Sequence, residues 1–379
     1  MNGRQRIEAA FSPDGTPEIP AVICYESIFV RDHWSQLCSD PWWVQRVPDL
    51  ERQVSWRERV AAAIGQDWFD LPSGPSYVER FYISIEERNG EVWLRDARTG
   101  DERLLPPPSI GGWPSRDMAS VHPENPPQTP LEVDMALGEP TMVEEALADG
   151  RADLPKQILS GWGASLYPLG YVGAPLWRCY SLWGFEGMML QLVDQPQLVR
   201  YAVESILEDA LCQVRLAARL GACGIWIEDC MTDMVSANQY ESLNLPYMRR
   251  LTSEIRKLGM RSIYYFCGDP SGKWDLIFDT GADALSLEES KKGFVIDIEE
   301  VVDRAQGRKT VLGNLDAIHL LEKGSEEELR AEIARQIEAG RRNRGRFIMS
   351  MGSPVTPDTP ASRVRLYCDL VHELGRESG

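Results

Sequence analysis

The chain reads as an α/β protein, a single (β/α)8 TIM barrel over residues 1–379, with an irregular Trp- and Pro-rich N-terminal elaboration that contains a β-hairpin. Three observations carry this reading. From about residue 135 onward, helical segments alternate with short apolar runs at the spacing of parallel strands joined by right-handed crossovers. Each run ends in polar or small residues. None is followed by the Gly-rich GxGxxG turn that would favour a doubly wound open sheet, the second choice.

The elements follow in order. Arg4 to Phe11 forms a short helix, and IPAVICY (19–25) reads as the first strand. A Trp-rich helical stretch, DHWSQLCSDPWWVQRVPDLERQVSWRERVAAAIG, leads to a second strand near residue 67. VERFYISIEE and GEVWLRDA alternate apolar and polar residues about Asn89-Gly90, the signature of a two-residue hairpin turn. The proline-rich stretch 106–130 suits a long irregular connection, so the elaboration spans about 75–130. Six more strands are expected in WRCYSLWG (177–184), ACGIWIEDC (222–230), RSIYYFCGD (261–269), ADALSLEES (282–290), KTVLGNLD (309–316) and RFIMSMGSP (346–354). Between them lie helices such as Gln197 to Leu220 and Tyr247 to Leu258, the latter stopped by Gly259. Ser325 and Glu328 form a capping box before a helix whose Leu329, Ile333 and Ile337 share one face.

Composition excludes several classes. At 379 residues, a guide of about 150 residues per domain gives two or three domains, but one barrel can run this long. With 40 Lys+Arg against 58 Asp+Glu the net charge is −18, which lacks the basic footprint of a nucleic-acid binder and repels anionic lipid. The most apolar stretch, 170–194, is broken by Arg178 and Glu186, well short of the roughly 18–20 apolar residues of a membrane span. The start, MNGRQRIEAAF, has no apolar core of a secretory signal. The cysteines at 24, 38, 179, 212, 223, 230, 267 and 368 show no paired CxxC spacing, which suits reduced thiols in a cytoplasmic protein.

Barrel active sites form at the carboxyl ends of the strands. That rule selects Tyr25 and Glu26; Glu228, Asp229 and Cys230; Tyr265, Cys267 and Asp269; Glu288 and Glu289; Asn314 and Asp316; and Ser350, Met351 and Ser353. Asp269 and Asp316 serve equally well as helix N-caps. Glu228, Asp229, Cys230 and Cys267 stand on adjacent strands about 5 Å apart, close enough to share a tetrahedral zinc, or else to form a free thiol beside an acid–base pair. The histidines at 33, 122, 319 and 372 make no HExxH or HxH pair, and GxSxG and P-loop motifs are absent. Trp34, Trp42, Trp43, Trp177, Trp183 and Trp226 fall near expected strand ends, as aromatic walls of a mouth or as core.

GNLDAIHLLEKGSEEEL, the closing MGSPVTPDTP, the YFCGD strand end and ACGIWIEDC followed by NLPYMRRLTSEIRKLG resemble the uroporphyrinogen decarboxylase superfamily over about 170–379, and GRQRIEAAF…IPAV resembles its start. The resemblance implies a (β/α)8 barrel with its site in the mouth. It admits two chemistries, porphyrinogen decarboxylation and cobalamin-linked methyl transfer. Two departures choose between them. The decarboxylases begin with an arginine-rich segment that grips carboxylates; here IPAVICYESIFVRDHW offers Arg31 alone, and a −18 chain is a poor host for an octa-anion. The zinc methyltransferases carry a His-x-Cys motif that Cys267 matches, but Tyr265 stands at the His position and Ser353 where a later Cys would be. A zinc here would need carboxylates such as Glu228, giving a harder Lewis acid suited to an oxygen leaving group.

The resulting expectation is a cytoplasmic corrinoid-dependent methyltransferase of the O-demethylase type. It takes a methyl group from a small donor, a methoxylated aromatic, to the cobalt of a corrinoid (cobalamin) on a partner protein. The expected catalytic residues are Glu228, Asp229, Tyr265 and Glu26, and the substrate-binding residues are Tyr25, Trp183, Trp226, Asn314 and Met351. The expected zinc ligands are Glu228, Cys230 and Cys267, and a homodimer is an admissible assembly. The alternatives are a decarboxylase of a smaller acid, using Asp229 or Asp316 on a pyrrole-like nitrogen with Arg31 and Arg178 converging on the cavity, and a non-catalytic barrel subunit.

Overall fold

The computed structural model describes residues 1–111, 123–140, 142–290 and 293–376. Its strands in chain order are β1 (Trp68–Asp70), β2 (Ile83–Arg88), β3 (Glu91–Asp96), β4 (Glu102–Leu105), β5 (Tyr167–Gly173), β6 (Gly224–Asp229), β7 (Arg261–Phe266), β8 (Ala284–Leu287), β9 (Thr310–Leu312) and β10 (Phe347–Ile348). Seven of them form one curled parallel sheet in the order β1-β5-β6-β7-β8-β9-β10.

The residues before β1 close the ring. Ala21 bridges Met349 in parallel, Val22 N–H donates to the Met349 carbonyl at 2.9 Å, and Asp67 N–H donates to the Ala21 carbonyl at 2.9 Å. This seam is locked at the amino face of the barrel. The buried Asp67 carboxylate accepts from Arg6 Nη1 at 2.9 Å and from Ala21 N–H at 2.8 Å, and His372 Nε2 lies 2.8 Å from it. The first helix (Gly3–Phe11) and the last (Ala361–Leu374) are thereby tied to the first strand position.

The sequence places one strand wrongly. Residues 177–184 are helical, within Pro175–Arg178 and Tyr180–Asp194, and the third barrel strand is instead Tyr167–Gly173. Trp183 and Leu182 are buried on helix faces, so apolar residues on all sides there report a packed helix and not a strand. The other elements stand near their expected places. Pro196–Leu220 and Leu245–Lys257 are helices, Gly259 follows at φ +80°, and Ser325 caps Glu326–Arg342 reciprocally with Glu328.

The elaboration is a three-stranded antiparallel meander, β2-β3-β4. Asn89 and Gly90 sit at φ 55° and 83°, the doubly left-handed turn that matches the twist of the paired strands. The Trp-rich stretch breaks into Trp34–Leu37, Trp42–Arg46 and Leu50–Ile64. Among the described residues no helix is long and apolar enough to cross a membrane.

Candidate active site at the carboxyl rim of the barrel

Strand alternation decides which side chains enter the barrel. On β6, Trp226 and Glu228 point inward. Trp226 is fully buried, stacked on Tyr265 of β7 at 5.1 Å between ring centroids and edge-on to Trp68 and Tyr25. These rings fill the barrel beneath Glu228 and form a floor. Tyr265 is pinned there, its hydroxyl donating to the Gly352 carbonyl at 3.0 Å. The indole N–H of Trp226 and the hydroxyl of Ser286 are buried and make no hydrogen bond to the described residues.

Glu228 stands on this floor. Its Oε1 accepts from the Tyr25 hydroxyl at 2.9 Å, and the Cys230 thiol lies 3.7 Å from the same oxygen. Burial pushes the carboxyl up to about 7, and the Tyr25 and Cys230 donors pull it part of the way back. Tyr25 reaches it from a left-handed backbone, φ 56°, a strained conformation for a non-glycine residue. Cys230 and Cys267 follow the ends of β6 and β7, and the neighbouring Cys267 thiol, followed by burial, holds the Cys230 thiol well above the usual range.

Asp229 does not join this group. It lies on the opposite pleat of β6 and is fully buried against the helical layer, accepting from Asn244 Nδ2 at 2.8 Å and from the Tyr264 hydroxyl, which also meets Tyr240 at 2.7 Å. Burial raises its carboxyl to about 6. The expected pairing of Glu228 with Asp229 is therefore corrected: a period of two sends consecutive residues to opposite faces.

A second acidic group occupies the ends of β1 and the first strand position. Glu26 Oε2 accepts from Gln66 Nε2 at 2.8 Å and from the Asp70 main-chain N–H at 3.1 Å. The Asp70 carboxyl faces the Ser27 main-chain N–H and Tyr171. Burial raises Glu26 well above the usual range and Asp70 to about 6. The same apolar surroundings lower the nearby Arg57 to about 10. Sequence reasoning passed over Asp70 and Tyr171, although Asp70 ends a strand and obeys the rule used for the other candidates.

The remaining expected residues have other roles. Asn314 donates its amide to the Glu288 and Ile296 carbonyls at 3.1 and 2.9 Å, bracing the loop after β8 and not facing a ligand. Trp183 sits on a helix and donates to the Pro127 carbonyl at 2.8 Å, under the proline-rich connection and not in the mouth. Met351 is fully buried beside Leu315. Glu288 accepts from Gly268 N–H at 3.0 Å and Glu289 from Ser353 at 2.8 Å. Asp316 is an N-cap, receiving the Ile318 and His319 N–H groups. Asp269 closes a turn onto Ser271 N–H. His33 is buried against Phe29, His319 pairs with Asp316, and His122 lies outside the described residues. Arg31 pairs with Asp32, and Arg178 pairs with Asp209 at a separate cleft of about 530 Å³ in the helical layer.

The zinc set is not assembled. Among the described residues no three His, Cys, Asp or Glu side chains are grouped to hold a metal ion. Tyr265 donates its hydroxyl to the Gly352 carbonyl, Ser353 donates its own to Glu289, and the Cys230 thiol lies against Glu228. Glu228, Cys230 and Cys267 therefore do not form a zinc ligand set.

The uroporphyrinogen decarboxylase (URO-D) family profile matches residues 157–374. A uroporphyrinogen decarboxylase of Desulfotalea psychrophila is 26% identical over 215 residues, covering 54% of this chain and 60% of the relative. One of Xanthomonas axonopodis is 22% identical over 278 residues, covering 69% and 72%. The chain thus spans about three-fifths of the length of the first of these curated relatives. Among solved structures, a methyltransferase from Methanosarcina mazei superposes with a TM-score of 0.64 over 98% of this chain and 99% of that one, at 16% identity, a likeness of fold. With more than half of its length matched by the family profile, the chain belongs to the uroporphyrinogen decarboxylase (URO-D) family.

Proposed function

We propose that the chain is a corrinoid-dependent methyltransferase that removes the methyl group of a small methoxylated aromatic and delivers it to the cobalt of a corrinoid carried by a partner protein. The observation that carries this reading is Glu228. It is a carboxyl near 7, held through Oε1 by Tyr25 and Cys230 above a floor of buried rings. Breaking a methyl–oxygen bond leaves its electron pair on oxygen, and an acid matched to neutral pH lowers the barrier by giving that oxygen a proton. Glu228 Oε1 is committed to Tyr25 and Cys230, so Oε2 is the oxygen turned to the donor. The corrinoid supplies the low-valent cobalt that accepts the methyl group. The chain's own residues orient the donor and hold the proton. Because Trp226, Tyr265 and Trp68 fill the interior, the donor sits at the rim, where a second protein can reach it.

Among the described residues Arg57, beside Glu26 and Asp70, donates to the Gln53 carbonyl, Arg31 pairs with Asp32, and Lys273 donates to the Asp233 carbonyl. A polycarboxylate gains little from such a rim. The names of the curated relatives favour the second reading, decarboxylation of a uroporphyrinogen-like acid. With Asp229 turned outward and Asp316 capping a helix, Asp70 is the strand-end acid left for that chemistry. The two readings separate in one experiment. The chain is incubated with cobalt(I) corrinoid and a panel of methoxyarenes, and in parallel with uroporphyrinogen. Methylcorrinoid absorbance in the first arm supports methyl transfer. Carbon dioxide release in the second arm, with no methylcorrinoid from any donor, overturns it.

A further inference from the structure

β6 and β7 leave the sheet side by side. Asp229 pairs with Phe266 in register, Cys267 N–H donates to the Asp229 carbonyl at 2.9 Å, and the next residue of each strand end is a cysteine. Neighbouring strands lie about 4.8 Å apart, inside the roughly 4.4–6.8 Å between Cα atoms that a disulfide spans. Cys230 is buried and Cys267 is partly exposed, so one thiol of the pair is open to reagents from the mouth and the other stands behind it. Glu228 Oε1 lies 3.7 Å from Cys230 Sγ, where its carboxylate form can take the thiol proton.

We propose that Cys230 and Cys267 are an oxidisable dithiol that closes to a disulfide in the barrel mouth, with a low-molecular-weight disulfide as the oxidant. Cys267, as thiolate, attacks one sulfur of the small disulfide. A mixed disulfide forms, and the first small thiol leaves with the proton that Cys267 lost. Cys230 then gives its proton to Glu228 and attacks the Cys267 sulfur. The second small thiol departs and takes up that proton. Two protein thiols are oxidised, one small disulfide is reduced to two thiols, and no other reactant is needed. Closure removes the Cys230 S–H from Glu228 and ties the ends of β6 and β7 together beside the proposed acid. The inference does not depend on which reaction the mouth performs.

The test uses the full chain and oxidised glutathione, followed by alkylation of remaining thiols, tryptic digestion and mass spectrometry. The expected result is a loss of two of the eight thiols and a link between peptides 220–249 and 262–273, reversed by dithiothreitol. Fragmentation should place the link at Cys230 rather than Cys223, which shares the first peptide. Cys267→Ser should abolish the link, and Cys212→Ser should leave it intact. Glutathione retained on Cys267 with no 230–267 link in the folded wild-type chain would overturn the proposal.

Discussion

The Tyr25 hydroxyl donates to Glu228 Oε1 at 2.9 Å, joining the first strand position of the barrel to the fourth. A donor to a carboxylate favours its ionised form, so Tyr25 lowers the Glu228 carboxyl against the larger upward effect of burial. Tyr25→Phe should therefore move Glu228 further up, by as much as about one pH unit, for a hydrogen bond worth roughly 0.5–1.5 kcal/mol. Titration of the Glu228 carboxyl by infrared difference spectroscopy checks this. A downward shift would contradict the assignment of Tyr25 as donor.

Glu228 also sets a pH dependence of stability. Its folded value near 7 lies above the ordinary 4.5 of an unfolded chain. Between these values the folded chain keeps a proton that the unfolded chain has lost, so stability falls as pH rises from about 4.5 to 7. Glu228→Gln carries no such penalty. The variant should be more stable than wild type at pH 8 by on the order of 2–3 kcal/mol and should converge with it near pH 4, while losing methyl transfer. Urea unfolding across that range is the measurement, and equal stability at pH 8 would count against a buried, strained carboxyl.

Asp67 holds the barrel seam. Removing the carboxylate leaves Arg6 with Glu18 as its remaining partner and leaves the buried Ala21 N–H without an acceptor, at a cost of about 1–3 kcal/mol. Asp67→Ala should show that loss in urea unfolding at pH 7. A loss below about 1 kcal/mol, the range of an ordinary surface change, would mean that the seam is held elsewhere.

Gly352 lets two rim loops touch. An added Cβ there would overlap the main-chain nitrogen of Glu289, and the Gly352 carbonyl anchors Tyr265. Gly352→Ala should push the two loops apart at a cost of roughly 1–3 kcal/mol, the range for an overpacked contact. Near-ultraviolet circular dichroism should change as Tyr265 and Trp226 lose their packing. An unchanged aromatic spectrum with full stability would contradict the contact.

The barrel was legible in the sequence because most of its strands are compact apolar runs with polar ends, as in GIWIED and RSIYYF. β5 escaped because YPLGYVG contains Pro168 and Gly170, which read as loop. In the fold Gly170 is a close approach, where a Cβ would meet Ile225 and Ala217. That error carried Trp183 with it, since a strand-end tryptophan became a helix-packing one. At the rim, the strand-end rule brought forward Glu228, Tyr25 and the two thiols together with Asp229 and Asn314. It could not tell that Asp229 turns to the helical layer and Asn314 to the loop after β8, because it gives a height on the barrel and not a face. Only the alternation of side chains, fixed by Trp226 pointing inward, separates Glu228 from its neighbour.

In the proposed reaction Glu228 gives a proton to an oxygen while the methyl group on it leaves intact. It is tested most directly by following a trideuteromethoxy arene with cobalt(I) corrinoid, its protein carrier and this chain, and weighing the corrinoid product. The expected result is a corrinoid heavier by an intact CD3 group, one phenol formed per methyl transferred, and no transfer by Glu228→Gln. Phenol without labelled corrinoid, or labelled corrinoid formed equally well by Glu228→Gln, would contradict it.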